Sequence, residues 1–215
     1  MNVQLKTEYS TERPDEAVAF CARGDHMSDS LVDMSFDDAM DGTPKEHREF
    51  LASLLSAGHF GPFEHAQAVF AVEGISRVVM AQATRHRHMS FDVQSLRYTE
   101  PETVEFERPE TVTDEDRARM QFTQEDAAVA YQRMIENGVE PEDARYALPM
   151  GTKVNMTFSA NLRSLFHFDD LRDNAKAQDE TVTFARAVWD ELESWAPKST
   201  SVYREKTNNN SLRAP

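Results

Sequence analysis

Two stretches of strict alternation sit in a chain otherwise patterned for helices. At 66–72, Ala66, Ala68, Phe70 and Val72 interleave with Gln67, Val69 and Ala71. At 154–160, Val154, Met156, Phe158 and Ala160 interleave with polar residues. A period of two puts every second side chain on the same face, so each stretch predicts a strand with one deeply buried side.

Around these strands the period changes. Thr43-Pro44-Lys45-Glu46 predicts a helix start, with Thr43 as N-cap, Pro44 in the first turn and Glu46 closing a capping box. Phe50, Leu51, Leu54 and Leu55 continue as one apolar stripe, and Gly58 stands where a C′ glycine belongs. Ile75, Val78 and Val79 begin a short helix. Thr113, ahead of Asp114, Glu115 and Asp116, opens a long helix that carries Met120, Tyr131, Met134 and Ile135 and stops near Gly138. Pro141 starts a shorter helix that ends before Pro149. A final helix uses Val182, Ala185, Val188, Trp189, Leu192 and Trp195 and stops before Pro197. Methionine and aromatic positions on these helices are assigned to the core. The expected fold is α+β: a helix-rich single domain over 1–196 with a central, mainly antiparallel sheet, followed by a mobile tail over 197–215.

At 215 residues the chain is long enough to bury a substantial core. No apolar run approaches the roughly 20 residues of a membrane span, and the first residues lack the basic and apolar segments of a secretory signal. A cytoplasmic protein with no membrane partner is expected. Cys21 is the single cysteine, which excludes an internal disulfide and a cysteine-based zinc site.

The net charge of −15 opposes binding to polyphosphate, so no nucleic-acid partner is expected. Of the basic residues 17 are Arg and 6 are Lys, and an acidic, lysine-poor surface suits a salt-rich interior as well as an ordinary one. Against this background residues 76–98 stand out, with Arg77, Arg85, Arg87, Arg97, His86 and His88 and only one acid, Asp92. Such a segment points to an anionic ligand held by guanidinium forks.

Within it, Arg85-His86-Arg87-His88-Met89-Ser90-Phe91-Asp92-Val93-Gln94-Ser95-Leu96-Arg97-Tyr98 admits several readings. A metal site at His86 and His88 would place a divalent cation between two arginines, which is costly, and no metal is expected. A hydrolase built on Ser95 would lack the glycine elbow. A solvated basic face and an RNA-binding patch remain, the latter opposed by the net charge.

Arg85-His86-Arg87, seven residues, then Ser95 resembles the R-H-R-x7-S signature of flavin-dependent thymidylate synthases, and Arg97-Tyr98 extends it. Upstream, Gly58-His59-Phe60-Gly61-Pro62-Phe63-Glu64-His65 resembles that family's G-H-x-x-P-F-E-H turn, and Gln82 precedes the first motif arginine by three. Downstream, Ala144-Arg145 before Leu148-Pro149, Asn161-Leu162-Arg163-Ser164-Leu165, Leu171-Arg172 and Ala177-Gln178 follow in family order. The resemblance spans roughly residues 15–190. It departs at Val93, where the family carries an acidic or amide side chain, at Gly61, and at Glu180-Thr181-Val182.

The resemblance implies conversion of deoxyuridylate (dUMP) to thymidylate (dTMP). FAD would be the bound cofactor, with NADPH as reductant and methylenetetrahydrofolate as one-carbon donor. It implies dUMP binding by Gln82, Arg85, Val93, Gln94, Ser95, Leu96, Arg97, Arg145 and Arg172, with Arg172 also catalytic. FAD contacts would come from His59, Gly61, Glu64, Arg85, His86, Arg87, Asn161, Arg163 and His167. It further implies a homotetramer with shared active sites. The alternative is a catalytically impaired flavin- or nucleotide-binding protein of the same fold. Each residue also has a plainer reading: Asn161 as a helix N-cap, Arg145 and Arg163 as surface ion-pair partners, His59 and His65 as braces of a turn.

Overall fold

The structure is a computed structural model that describes residues 1–28, 30–39, 42–99 and 103–208. In chain order β1 (Asn2–Leu5) precedes α1 (Pro14–Gly24), α2 (Phe36–Ala39) and α3 (Pro44–Ser56). Then come β2 (Gln67–Ser76), α4 (Arg77–Ala83), β3 (Ser90–Val93), α5 (Asp114–Glu136) and α6 (Pro141–Ala144). The chain continues through β4 (Lys153–Asn161), α7 (Leu162–Arg172), α8 (Asp179–Trp195) and α9 (Pro197–Asn208). The strands form one antiparallel sheet in the order β1-β2-β4-β3.

Local chemistry sets the element ends. The Thr43 hydroxyl accepts from the Glu46 amide at 3.3 Å while the Glu46 carboxylate accepts from the Thr43 amide at 2.7 Å, completing the capping box of α3. Gly58, just past the α3 C-cap, has φ +76°, a left-handed conformation glycine adopts without strain. Ser76 caps α4 through the Val79 amide at 3.2 Å, so Ile75 belongs to the end of β2 and not to that helix. Thr113 caps α5 through the Asp116 amide at 3.1 Å.

Residues 1–2, 72–86 and 91–157 form one compact unit. Its buried residues include Val72, Ile75, Val79, Val154, Met156 and Tyr131. Arg77 donates its amide to the Thr152 carbonyl at 3.0 Å, and Gln94 to the Asn155 carbonyl at 2.8 Å. Gly151 is required by close approach: a Cβ there would meet Gln124 Nε2 and the Glu107 carbonyl oxygen at 2.9 Å. The long helix α5 buries only Gln124 and Tyr131. Phe122, 73% exposed, and Met134, 40% exposed, overturn their assignment to the core. Both are exposed among the described residues, about 120° apart around the helix.

The described residues within 3–71, 87–90 and 158–208 form the second unit. An aromatic cluster is its core. Phe70 stacks on Phe158 with centroids 4.6 Å apart, and Phe158 and Phe168 meet Phe184 edge-on at 6.1 and 5.7 Å. Phe166 stacks on Tyr203 at 4.1 Å. That last contact corrects the expected mobile tail. Residues 197–208 are helical and bury Ser199, Thr200, Val202 and Tyr203. Asp15 of α1 fastens this helix, accepting from the Lys198 and Ser199 amides at 3.0 and 2.9 Å. Pro197 thus opens a new helix as its first residue. The remainder of the expected tail, 209–215, lies outside the described residues.

Candidate active site

In the first unit, α4 carries Gln82 near its C-terminal end, and the chain then turns through Arg85 and His86. The Arg85 amide donates to the Gln82 carbonyl at 3.4 Å and the His86 amide to that of Ala83 at 3.0 Å. His86 is buried and Arg85 exposed. β3 follows, a short strand that the motif reading did not foresee because its burial alternates only weakly. Val93 ends it. Gln94 is held by Asn155 on both sides, donating its own amide and accepting from the Asn155 amide on Oε1 at 3.1 Å.

The chain next closes a turn on Ser95. Its carbonyl accepts from the Tyr98 and Thr99 amides at 3.2 and 3.0 Å, and its hydroxyl accepts from the Arg97 amide at 3.3 Å. Leu96 is buried beneath, 3% exposed, while Arg97 extends outward over the Tyr98 ring. Arg97 pairs with the Glu142 carboxylate, and Arg145 Nε donates to the Glu142 carbonyl at 3.1 Å. One residue that the motifs did not flag therefore directs two predicted arginines. Its only sequence signal is a position three before Arg145 on a short helix.

In the second unit, His59 follows Gly58 on the exposed turn after α3, and Gly61 opens a single 3₁₀ turn. A Cβ added at Gly61 would meet nothing within 4 Å. Glu64, on the same turn, receives Arg163 Nη1 at 2.5 Å, so two predicted flavin residues are partners. Asn161 caps α7, its Oδ1 accepting from the Ser164 amide at 2.8 Å. Arg163 and His167 lie one turn apart on that helix, and Arg172 ends it. Arg87, exposed, also belongs to this unit.

Charged groups around the C-terminal end of α7 escaped the motif reading. Asp169 is buried at 6% exposure. Burial pushes its carboxyl up to about 7, opposed by Arg204 and reinforced by Asp173. The signal was present: Asp169 continues the stripe Leu162, Leu165 and Phe166, where an apolar residue belongs. Cys21 is half-buried on α1, and burial together with Asp25 pushes its thiol up, which disfavours the nucleophilic thiolate. Among the described residues no cluster of His, Cys, Asp and Glu is arranged to hold a metal ion, and no helix is long and apolar enough to cross a membrane.

Residues 7–198 match the family described as thymidylate synthase complementing protein. The flavin-dependent thymidylate synthase of Haloarcula marismortui is 38% identical over 237 residues, covering 95% of this chain and 96% of that one. The chain belongs to the flavin-dependent thymidylate synthase family. Another member, from Halobacterium salinarum, is 38% identical over 90% of this chain and 92% of its own. A solved structure, the UMP/dUMP methylase PolB from Streptomyces cacaoi bound with 5-Br dUMP, shares the fold with a TM-score of 0.78. Its identity is 24%, covering 100% of this chain and 97% of that one.

Proposed function

We propose that this family member makes thymidylate by methylating deoxyuridylate, with FAD as bound cofactor. NADPH would be its reductant and methylenetetrahydrofolate its one-carbon donor. The observation that carries this reading is the 38% identity to a flavin-dependent thymidylate synthase over 95% of this chain and 96% of the relative.

The residues fit the cofactor. Arg87, Arg163, His59 and Asn161 supply cationic and amide donors for a pyrophosphate, and the open space at Gly61 admits close approach to backbone. Because the Asn161 oxygen is committed to capping α7, its amide nitrogen is left to donate. Glu64 orients Arg163, and His86 and His167 complete the set. When bound and reduced, FAD supplies the hydride that this chain's side chains cannot.

For the nucleotide, Arg85, Ser95 and Arg97 bind the phosphate, and the Glu142 contacts hold the Arg97 and Arg145 forks in fixed directions. Gln82, Val93, Gln94 and Leu96 set the floor on which the base lies. With Val93 aliphatic, the contact at that position is apolar or comes from backbone. Arg172 places its guanidinium where negative charge develops on the uracil and stabilises the N3-deprotonated or enolate-like form. The high-lying thiol of Cys21 supports a route without an enzymic thiolate.

A homotetramer in the cytoplasm completes the proposal. Its support is α5, whose Phe122 and Val129 lie seven residues apart on one face, 73% and 47% exposed. The test is conversion of dUMP to dTMP by the purified protein with FAD, NADPH and methylenetetrahydrofolate, at low and high salt. Flavin- and NADPH-dependent product supports the proposal. A yellow protein without product would leave a flavin-binding protein that lacks the reaction.

A further inference from the structure

The residue proposed to stabilise the uracil anion ends a helix, so its aim depends on how firmly that end is held. The inference below rests on that proposed role of Arg172. The turn itself is stitched by backbone and by Asn174. The Asp173 amide donates to the Asp169 carbonyl at 2.8 Å, and Asn174 Nδ2 donates to the Leu171 carbonyl at 2.7 Å. Asn174 Oδ1 accepts from the Lys176 amide at 2.9 Å, and its carbonyl from the Ala177 amide at 3.0 Å.

Two arginines from other helices grip the same turn. Arg186 of α8 donates from Nε to Asp173 Oδ1 at 2.9 Å. Arg204 of α9 donates to Asp169 Oδ1 at 3.1 Å and lies 3.7 Å from Asp173 Oδ2. The Arg204 guanidinium also sits 4.0 Å from the centroid of the buried Trp189 ring, so its direction is fixed from below. Tyr203, its neighbour, stacks on Phe166 of the same α7. Consecutive residues of α9 thus fix α7 twice, once by packing and once by charge.

A carboxylate at 169 is a poor choice for stability alone. It takes an apolar position on the buried stripe, where a well-packed hydrophobic side chain is generally as stable as a buried ion pair, or more so. We propose that Arg204, acting through Asp169 and Asp173, is a positioning residue that fixes the last turn of α7 and so aims Arg172 at the substrate. The charged groups facing Asp169 are Arg204 from α9, Arg186 from α8, Asp170 from α7 itself and Asp173 at its C-cap. Protonating Asp169 removes the stronger half of the grip, while Asp173 keeps the weaker.

The test compares the natural protein with Arg204→Met, Arg204→Lys and Asp169→Asn by amide hydrogen exchange, FAD absorbance and steady-state kinetics. Met keeps the stem over Trp189 without the charge, and Lys restores the charge without the fork. In Arg204→Met and Asp169→Asn, exchange at 170–174 should quicken by about fivefold or more, with α3 amides unaltered. Their kcat should fall about tenfold with FAD content unchanged, and Arg204→Lys should recover part of the loss. In the natural enzyme kcat should climb with pH through about 7, a limb that Asp169→Asn should lack.

Unchanged exchange at 170–174 would overturn the proposal. So would faster exchange with unchanged kcat, or a uniform quickening along the whole chain. A natural protein that makes no thymidylate would instead overturn the proposed function. The exchange at 170–174, with dUMP affinity read from the flavin absorbance, would then decide the grip by itself.

Discussion

Arg172 and Asp169 lie three residues apart on one helix, and they make opposite demands on it. Arg172→Ala should abolish thymidylate formation while FAD stays bound, read from product assay and flavin absorbance on the same sample; retained turnover would remove Arg172 from catalysis. Asp169 shows its cost in stability. Unfolded, its carboxyl releases a proton near 3.8; folded, it holds it up to about 7 because burial disfavours the charge. The folded state therefore binds more protons between these values, and this group's contribution falls as pH rises through that window. Asp169→Asn cannot titrate, so its urea midpoint should gain on the natural protein between about pH 4 and about pH 8. An offset that stays constant with pH would show that the carboxyl does not titrate there. Both Arg172 and the arginine motif were legible as residues, because their order along the chain is itself the signature. Asp169 was legible only as a misfit in an apolar stripe, since its partner Arg204 lies 35 residues away.

At the level of elements, the caps and stripes of α3, α5 and the two long strands were readable because their determinants are local. A Thr hydroxyl reaches an amide three residues on, and alternation needs no distant partner. The last helix was missed for the complementary reason. Pro197 reads equally as a stop and as a first helical residue, and Asp15, which decides between them, is remote in sequence. Tyr203→Ala should lower stability by about 3–5 kcal/mol, measured by urea unfolding, because it empties a stacked site against Phe166 and Trp189. A loss under about 1 kcal/mol would show that α9 is not part of the cooperative fold.

The whole molecule carries a net charge of −15, spread over a surface rich in carboxylates. Such a charge repels itself, and about 0.1 M salt screens it only beyond roughly 10 Å. Melting temperature should therefore rise on going from about 0.1 M to about 2 M KCl, followed by circular dichroism; a falling value would remove charge repulsion as the governing term. Assembly belongs to the same scale. Phe122→Asp on the exposed Phe122/Val129 face of α5 should break the proposed tetramer into smaller species by light scattering, with far-ultraviolet circular dichroism unchanged. A variant that keeps the natural mass would move the interface elsewhere.

By itself the sequence determined the α+β class, the helix caps, the two alternating strands and the family, since each is written in residues close together or in a fixed order. Tertiary structure decided what depends on partners brought from far away. It gave Glu142 the direction of Arg97 and Arg145, committed the Asn161 oxygen to a cap, made 197–208 of the expected tail into α9, and exposed Phe122. It also set the proton affinity of Asp169, because desolvation and the field of Arg204, Arg186, Asp170 and Asp173 exist only once three helices have packed together.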